Sequence, residues 1–197
     1  MQESLFIRST RPIAIWLWVG IFMIIIQVLL GGITRLTGSG LSITEWNVVT
    51  GTLPPLSEAG WLTEFEKYRA TPQYQLLNSD FTLDDFKFIY FWEWFHRFWA
   101  RMIGVVFLIP FLVFLYQRRF TQSMVRPMLV LFLLGALQGA VGWIMVASGL
   151  TGDAIYVKPT RLALHFLFAL GLFVYTFWFA MDLDRKSTRL NSSHANI

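Results

Sequence analysis

Within Glu93-Trp94-Phe95-His96-Arg97, followed by Arg101, a carboxylate, an imidazole and two guanidinium groups stand at the start of an otherwise apolar run. Each of these groups is costly in hydrocarbon unless it is paired, ligated or hydrated, so the cluster marks a candidate site. A second histidine, His165, sits in a comparable place near the start of another apolar run, whereas His194 lies in a polar tail and is a poor ligand candidate. Two imidazoles on parallel helices at similar depth suit axial ligation of a haem iron, with apolar walls around the porphyrin. A lone histidine in such a setting would read as a hydrogen-bonded structural residue. The depth-matched pair is the stronger signal.

At 100 degrees per residue, Glu93, His96, Arg97, Ala100 and Gly104 share one helix face, with Arg101 at its edge. Ala100 and Gly104 leave room beside His96 for a flat, bulky ligand or for a neighbouring helix. Trp94, Phe95, Phe98 and Trp99 cover the other directions, as an interfacial aromatic collar does. Glu93, three residues before His96, would face the periphery of a porphyrin held by that imidazole. Two roles stand side by side for it: proton relay or substrate positioning, and a structural ion pair with Arg97.

The elements that must hold this cluster are membrane-length. The chain has 197 residues, of which 55% are hydrophobic and only 14% charged, well below the roughly 25% charged content of soluble domains. Cysteine is absent, which removes disulfides, thiolate metal sites and thiol catalysis and leaves His and carboxylate as the strong ligands. The formal charge of +4 comes from basic residues at the ends of apolar runs, a pattern of membrane topology and not of nucleic-acid binding.

Four spans follow from the apolar runs: 13–30 after Arg8, Arg11 and Pro12; about 83–116, with Pro110 inside it; about 127–147; and 162–181. The first run is read as an uncleaved span in preference to a signal peptide, because Gly31-Gly32-Ile33-Thr34-Arg35 is a poor cleavage site. Between spans one and two, segment 31–88 is organised. Gly31, Gly32, Gly38 and Gly40 suggest tight turns, and Ser57 caps a short helix whose Trp61, Phe65 and Tyr68 suit a lipid surface. That segment is expected to cover the bundle or to form a lid over a cofactor site. Thr82 with Asp84 and Asp85 marks the start of the second long helix. In span three, Gly135, Gly139 and Gly142 suggest close helix packing, and Gln138 among them suits an interhelical hydrogen bond better than a ligand contact. Basic residues before span one and between spans two and three place both chain ends inside and 31–88 on the outer face. The expectation is an all-α integral membrane protein, with residues 1–186 forming a four-helix transmembrane haem-binding unit and 187–197 a flexible or non-native tail.

The stretch Gly31-Gly32-Ile33-Thr34-Arg35-Leu36-Thr37-Gly38-Ser39-Gly40-Leu41-Ser42-Ile43-Thr44-Glu45-Trp46 resembles the haem A synthase (COX15/CtaA) family. The likeness continues through Gly51, Pro54-Pro55, Trp61, Phe65, Tyr68, Thr71-Pro72 and Glu93-Trp94-Phe95-His96-Arg97, and extends past Arg101-Met102-Ile103-Gly104 and His165 to about residue 181. The resemblance implies one four-helix half of an eight-helix, pseudo-symmetric protein. It also implies oxidation of the C8 methyl group of haem O to the formyl group of haem A, for cytochrome oxidase, with water as the oxygen source. In that frame His96 and His165 flank haem O, Glu93 is in the catalytic site, and Arg35, Arg97 and Arg101 are candidates for propionate pairing. The family's second half, which holds haem b between another histidine pair, is not in this sequence.

The resemblance further implies a bacterial or mitochondrial inner membrane, with haem O, membrane lipids and an electron acceptor as partners. Haem O synthase, a separate second half and a further copy of this chain are additional candidate partners; nucleic acid is not. Two other functions compete with the enzyme: a bis-His electron-transfer module holding haem b, and a non-catalytic assembly subunit.

Overall fold

Residues 10–45 and 52–195 are described by the computed structural model, with side chains described through residue 185. Arg8, Trp46 and Gly51, which the sequence analysis uses, lie outside these residues, as does the side chain of His194. The described chain runs α1 (Arg11–Leu36), α2 (Glu58–Arg69), α3 (Pro72–Leu77), α4 (Leu83–Tyr116), α5 (Gln122–Ala147) and α6 (Pro159–Ala195). Helices α1, α4, α5 and α6 are each long and apolar enough to cross a membrane. The expected all-α membrane bundle is the fold.

Local chemistry sets the helix starts. Pro12 stands in the first turn of α1, where its missing N–H costs nothing. Thr82 and Asp85 form a reciprocal capping box at α4, the Asp85 carboxylate accepting from the Thr82 amide at 2.9 Å. Ser57 caps α2 by accepting from the Gly60 amide at 3.2 Å. Pro110 lies inside α4 without ending it. The α2 aromatics do not face lipid as expected: Phe65 and Tyr68, with Trp61 beside them, pack on Phe86, Ile89 and Tyr90 of α4. Stacking on Phe86 gives these rings more contact than a lipid surface would.

Helices α1 and α4 are registered antiparallel by side chains that donate to carbonyls of the facing helix. Trp16 Nε1 donates to Val106 O (2.8 Å), Trp99 Nε1 to Met23 O (3.0 Å), Gln27 Nε2 to His96 O (3.2 Å) and Thr34 Oγ1 to Trp92 O (3.3 Å). In hydrocarbon, association rests on such bonds and on van der Waals contact, since little water is released. Helix α1 also packs on α6, and α6 on α5. The tight core, with Ile13, Ala14, Leu17, Met128, Phe179 and Leu183, lies at the end of the bundle remote from His96. The side between α4 and α5 is bridged there by rings: Phe107 and Phe111 meet Phe132, and Phe111 and Phe114 meet Phe120.

Two expectations are corrected. Gly31 and Gly32 do not begin a turn-rich segment, because α1 continues to Leu36 and the connection to α4 spans 37–82. Gly38, with φ +68°, makes the turn. Gly135 and Gly139 do not mark close packing, since both are exposed and a Cβ on either would meet nothing within 4 Å. Residues 187–195 are helical in backbone, continuing α6. Extending an existing helix is cheap compared with nucleating one, and no Gly or Pro interrupts the stretch.

Candidate functional site

Glu93 is buried at 2% exposure, and both of its oxygens are occupied. Oε2 accepts from Ser42 Oγ (2.7 Å) and the Ile43 amide (2.8 Å), while Oε1 accepts from Arg97 Nη2 (2.6 Å). Arg97 donates further to the carbonyls of Ile43 (3.4 Å) and Glu45 (3.5 Å). The i, i+4 spacing on α4 makes the ion pair local, and the pair in turn holds loop 37–45 against the helix. Leu41 of that loop is itself buried, and a Cβ added to Gly149 would fall 2.6 Å from it. The loop therefore lies across the end of the bundle, over α4 and the α5–α6 connection.

This covering layer is completed by α2 and α3. The Tyr68 phenol is fully buried; it donates to Gln73 Oε1 (3.2 Å) and accepts from Asn78 Nδ2 (2.7 Å), and Gln73 Nε2 donates to Gly38 O (3.3 Å). Burial pushes the Tyr68 phenol above its ordinary pKa. Lys67 bridges Glu64 (2.8 Å) and Glu45 (2.9 Å), and the hydrogen bonds to these two carboxylates raise its pKa.

His96 on α4 and His165 on α6 lie below this layer. Each ring is set against a glycine of a neighbouring helix. A Cβ on Gly31 would stand 3.3 Å from His96 Nε2, and one on Gly142 would stand 2.8 Å from His165 Cε1. Gln138 Nε2 on α5 reaches His165 Nε2 at 3.4 Å. The interhelical hydrogen bond expected of Gln138 is present, and its partner is the candidate ligand itself.

The arginines divide. Arg97 is bound into the Glu93 and loop contacts, Arg35 lies over the Tyr156 ring at 5.6 Å, and Arg101 is part-buried one turn further along α4. The structure thus joins Glu93 to Arg97, with Arg101 one turn further along α4 and Arg35 at the end of α1. Gly31, Ser42, Ile43 and Gly142 are site residues that sequence reasoning did not assign. The spacing along α4 carries no information about contacts made fifty residues away; only the identity of Gly142, one turn from Gln138, was a usable signal.

The donor set discriminates between ligands. Among the described residues no group of three or more His, Cys, Asp or Glu could hold a metal ion, so a bare ion would find two imidazoles and little else. A metal that brings its own equatorial nitrogens needs only those two. Gly104, Gly135 and Gly139 leave open space where a Cβ would stand, and each imidazole is set against a glycine. By contrast, the crevice of about 140 Å³ among Leu41, Lys67, Gln73 and Gly149 touches neither histidine and is below the roughly 300 Å³ of a small-molecule pocket.

Comparison with known proteins places this arrangement. Residues 14–197 match the COX15-CtaA family, described as cytochrome oxidase assembly protein. A protein of Flavobacterium psychrophilum named heme A synthase is 52% identical over 178 residues, covering 89% of this chain and 52% of the relative. Proteins of the same name from Rhodospirillum centenum (55% over 157 residues; 80% and 42% covered) and Parvibaculum lavamentivorans (51% over 181 residues; 91% and 52% covered) are similar in the same way. The chain thus spans about half the length of the curated relatives it matches. No solved structure matches it. With residues 14–197 accounted for by one family and half-identity to several of its curated members, the chain belongs to the COX15-CtaA family.

Proposed function

We propose that this chain is the substrate-holding half of a haem A synthase, in which the C8 methyl group of haem O is oxidised to the formyl group of haem A. The observation that carries the reading is the pair of histidines on α4 and α6, each imidazole set against a glycine of a neighbouring helix. His96 and His165 hold the substrate iron from opposite sides. Arg35, Arg97 and Arg101 are assigned to the propionates, Arg97 doing so from within its Glu93 pair. Methyl-to-formyl conversion with water as oxygen source releases electrons and protons, so an electron acceptor and a proton exit are both required. Glu93 is the carboxylate beside the site and is assigned to position the reacting group or accept its proton.

The setting is an inner membrane, bacterial or mitochondrial, with the 37–82 layer on the outer face and both chain ends inside. A second half, supplying haem b for electron transfer, would complete the protein, in the same chain or as a separate one; haem O synthase or another copy of this chain are the other candidate contacts. Within the present sequence, residues 1–186 are the haem-holding unit.

Pigments extracted from the purified protein and resolved by mass test the proposal. Haem O together with haem A supports it, haem b alone supports an electron-transfer module, and no haem supports an assembly subunit. His96→Ala and His165→Ala should each change the axial spectrum; unchanged ligation in both removes the clamp. The electron-transfer reading is kept because Glu93 already has three donors, as a purely structural carboxylate would. Glu93→Gln and Ser42→Ala separate the two roles, since Ser42→Ala loosens the loop and leaves the carboxylate. Loss of haem A formation only in Glu93→Gln, at equal haem content, supports catalysis.

A further inference from the structure

We propose that Gln138 is the positioning residue of His165, fixing its tautomer and occupying its Nε2 until an iron displaces the amide. This assignment rests on the reading of His165 as an iron ligand. Gln138 and Gly142 are one turn apart on α5 and therefore on one face. Gly142 accepts the edge of the ring, a Cβ there falling 2.8 Å from Cε1 and 3.3 Å from Nδ1. Gln138 Nε2 stands 3.4 Å from the ring's Nε2.

An amide N–H has only a proton to give, so the imidazole nitrogen it meets must offer a lone pair. The ring proton of neutral His165 is then on Nδ1, which is buried without a hydrogen-bond partner. That tautomer is the one in which Nε2 can bind a metal. The same lone pair cannot serve the amide and an iron together, so ligation at Nε2 requires Gln138 to let go. At 3.4 Å the bond is longer than the usual 2.7–3.2 Å range, and Gln138 Oε1 has no partner to anchor the amide more firmly. Gln138 is thus a weak, exchangeable occupant that keeps the ring in ligating form.

The test is titration of the full chain in detergent with haem b, followed by its absorption spectrum. Gln138→Leu removes the competing donor, and binding should tighten roughly three- to tenfold, the worth of one neutral hydrogen bond, with the bis-imidazole spectrum kept. Gln138→Glu places a carboxylate against Nε2, draws the ring proton there, and should weaken binding and lose the His165 ligand from the spectrum. Binding no tighter in Gln138→Leu, or full ligation in Gln138→Glu, overturns the assignment while His165→Ala still abolishes ligation. An unchanged axial spectrum in His165→Ala overturns the ligand reading beneath it.

Discussion

Replacing Glu93 by Gln should release loop 37–45 from α4 without dismantling the bundle. The carboxylate accepts three hydrogen bonds, from Ser42, the Ile43 amide and Arg97. A primary amide keeps one acceptor and turns the other into a donor, so it can serve the loop or the guanidinium but not both. The lost interaction is charged and shielded, with Glu93 at 3% and Arg97 at 12% side-chain exposure. A hydrogen bond to a charged group contributes about 1.5–3 kcal/mol, and breaking a fully buried pair costs about 3–5 kcal/mol. Arg97 retains two loop carbonyls, so a loss of about 2–3 kcal/mol is the expected middle. Local opening should become about 30- to 150-fold more frequent, read as faster amide exchange across 37–45 in detergent, with α1 and α4 little changed. Ser42→Ala removes one hydroxyl donor and should cost about 1 kcal/mol, or roughly fivefold in exchange. Exchange in Glu93→Gln equal to the parent, or no greater than in Ser42→Ala, would refute the view that the charged pair holds the loop.

The glycine notches should be unequal: Gly142→Ala, which would put a Cβ 2.8 Å from His165, should disturb haem b ligation more than Gly31→Ala, at 3.3 Å from His96. Overpacking of this kind costs about 1–3 kcal/mol, and equal haem titrations for the two variants would show that the notches do not set the rings. Burial raises the Tyr68 pKa, so the stability it lends is complete below the ordinary phenol value of about 10 and falls as pH rises through the higher folded value. Ultraviolet titration of Tyr68→Phe against the parent should show the missing phenol ionising above that range; ionisation at about 10 would contradict the burial. Thr82→Ala removes the α4 capping box and should lower stability by about 1 kcal/mol, measured by thermal unfolding in detergent.

The long helices were legible because membrane length and apolar composition are local properties, and the Thr82 and Ser57 caps because a capping side chain acts within one turn. Gly31 was misread for a physical reason. A glycine that permits a turn and a glycine that admits an imidazole from another helix look alike until the other helix is placed. The stripe of Gly135 and Gly139 failed similarly: small size permits close approach but does not supply a neighbour, and of that group only Gly142 received one. Within the site, the Glu93, His96 and Arg97 face was readable from helix spacing. Their partners were not, because Ser42 and Ile43 reach Glu93 across about fifty positions, and His165 finds Gln138 only once α5 and α6 are antiparallel neighbours.

Helices α4 and α5 are joined by a short connection and by edge and tilted contacts among Phe107, Phe111, Phe120 and Phe132, while close backbone packing links α4 to α1 and α5 to α6. In mechanical terms they are the two arms of a peg, with the aromatic cluster as its spring. A given angular displacement moves the arms least at Phe111 and most at the level of His96 and Gln138.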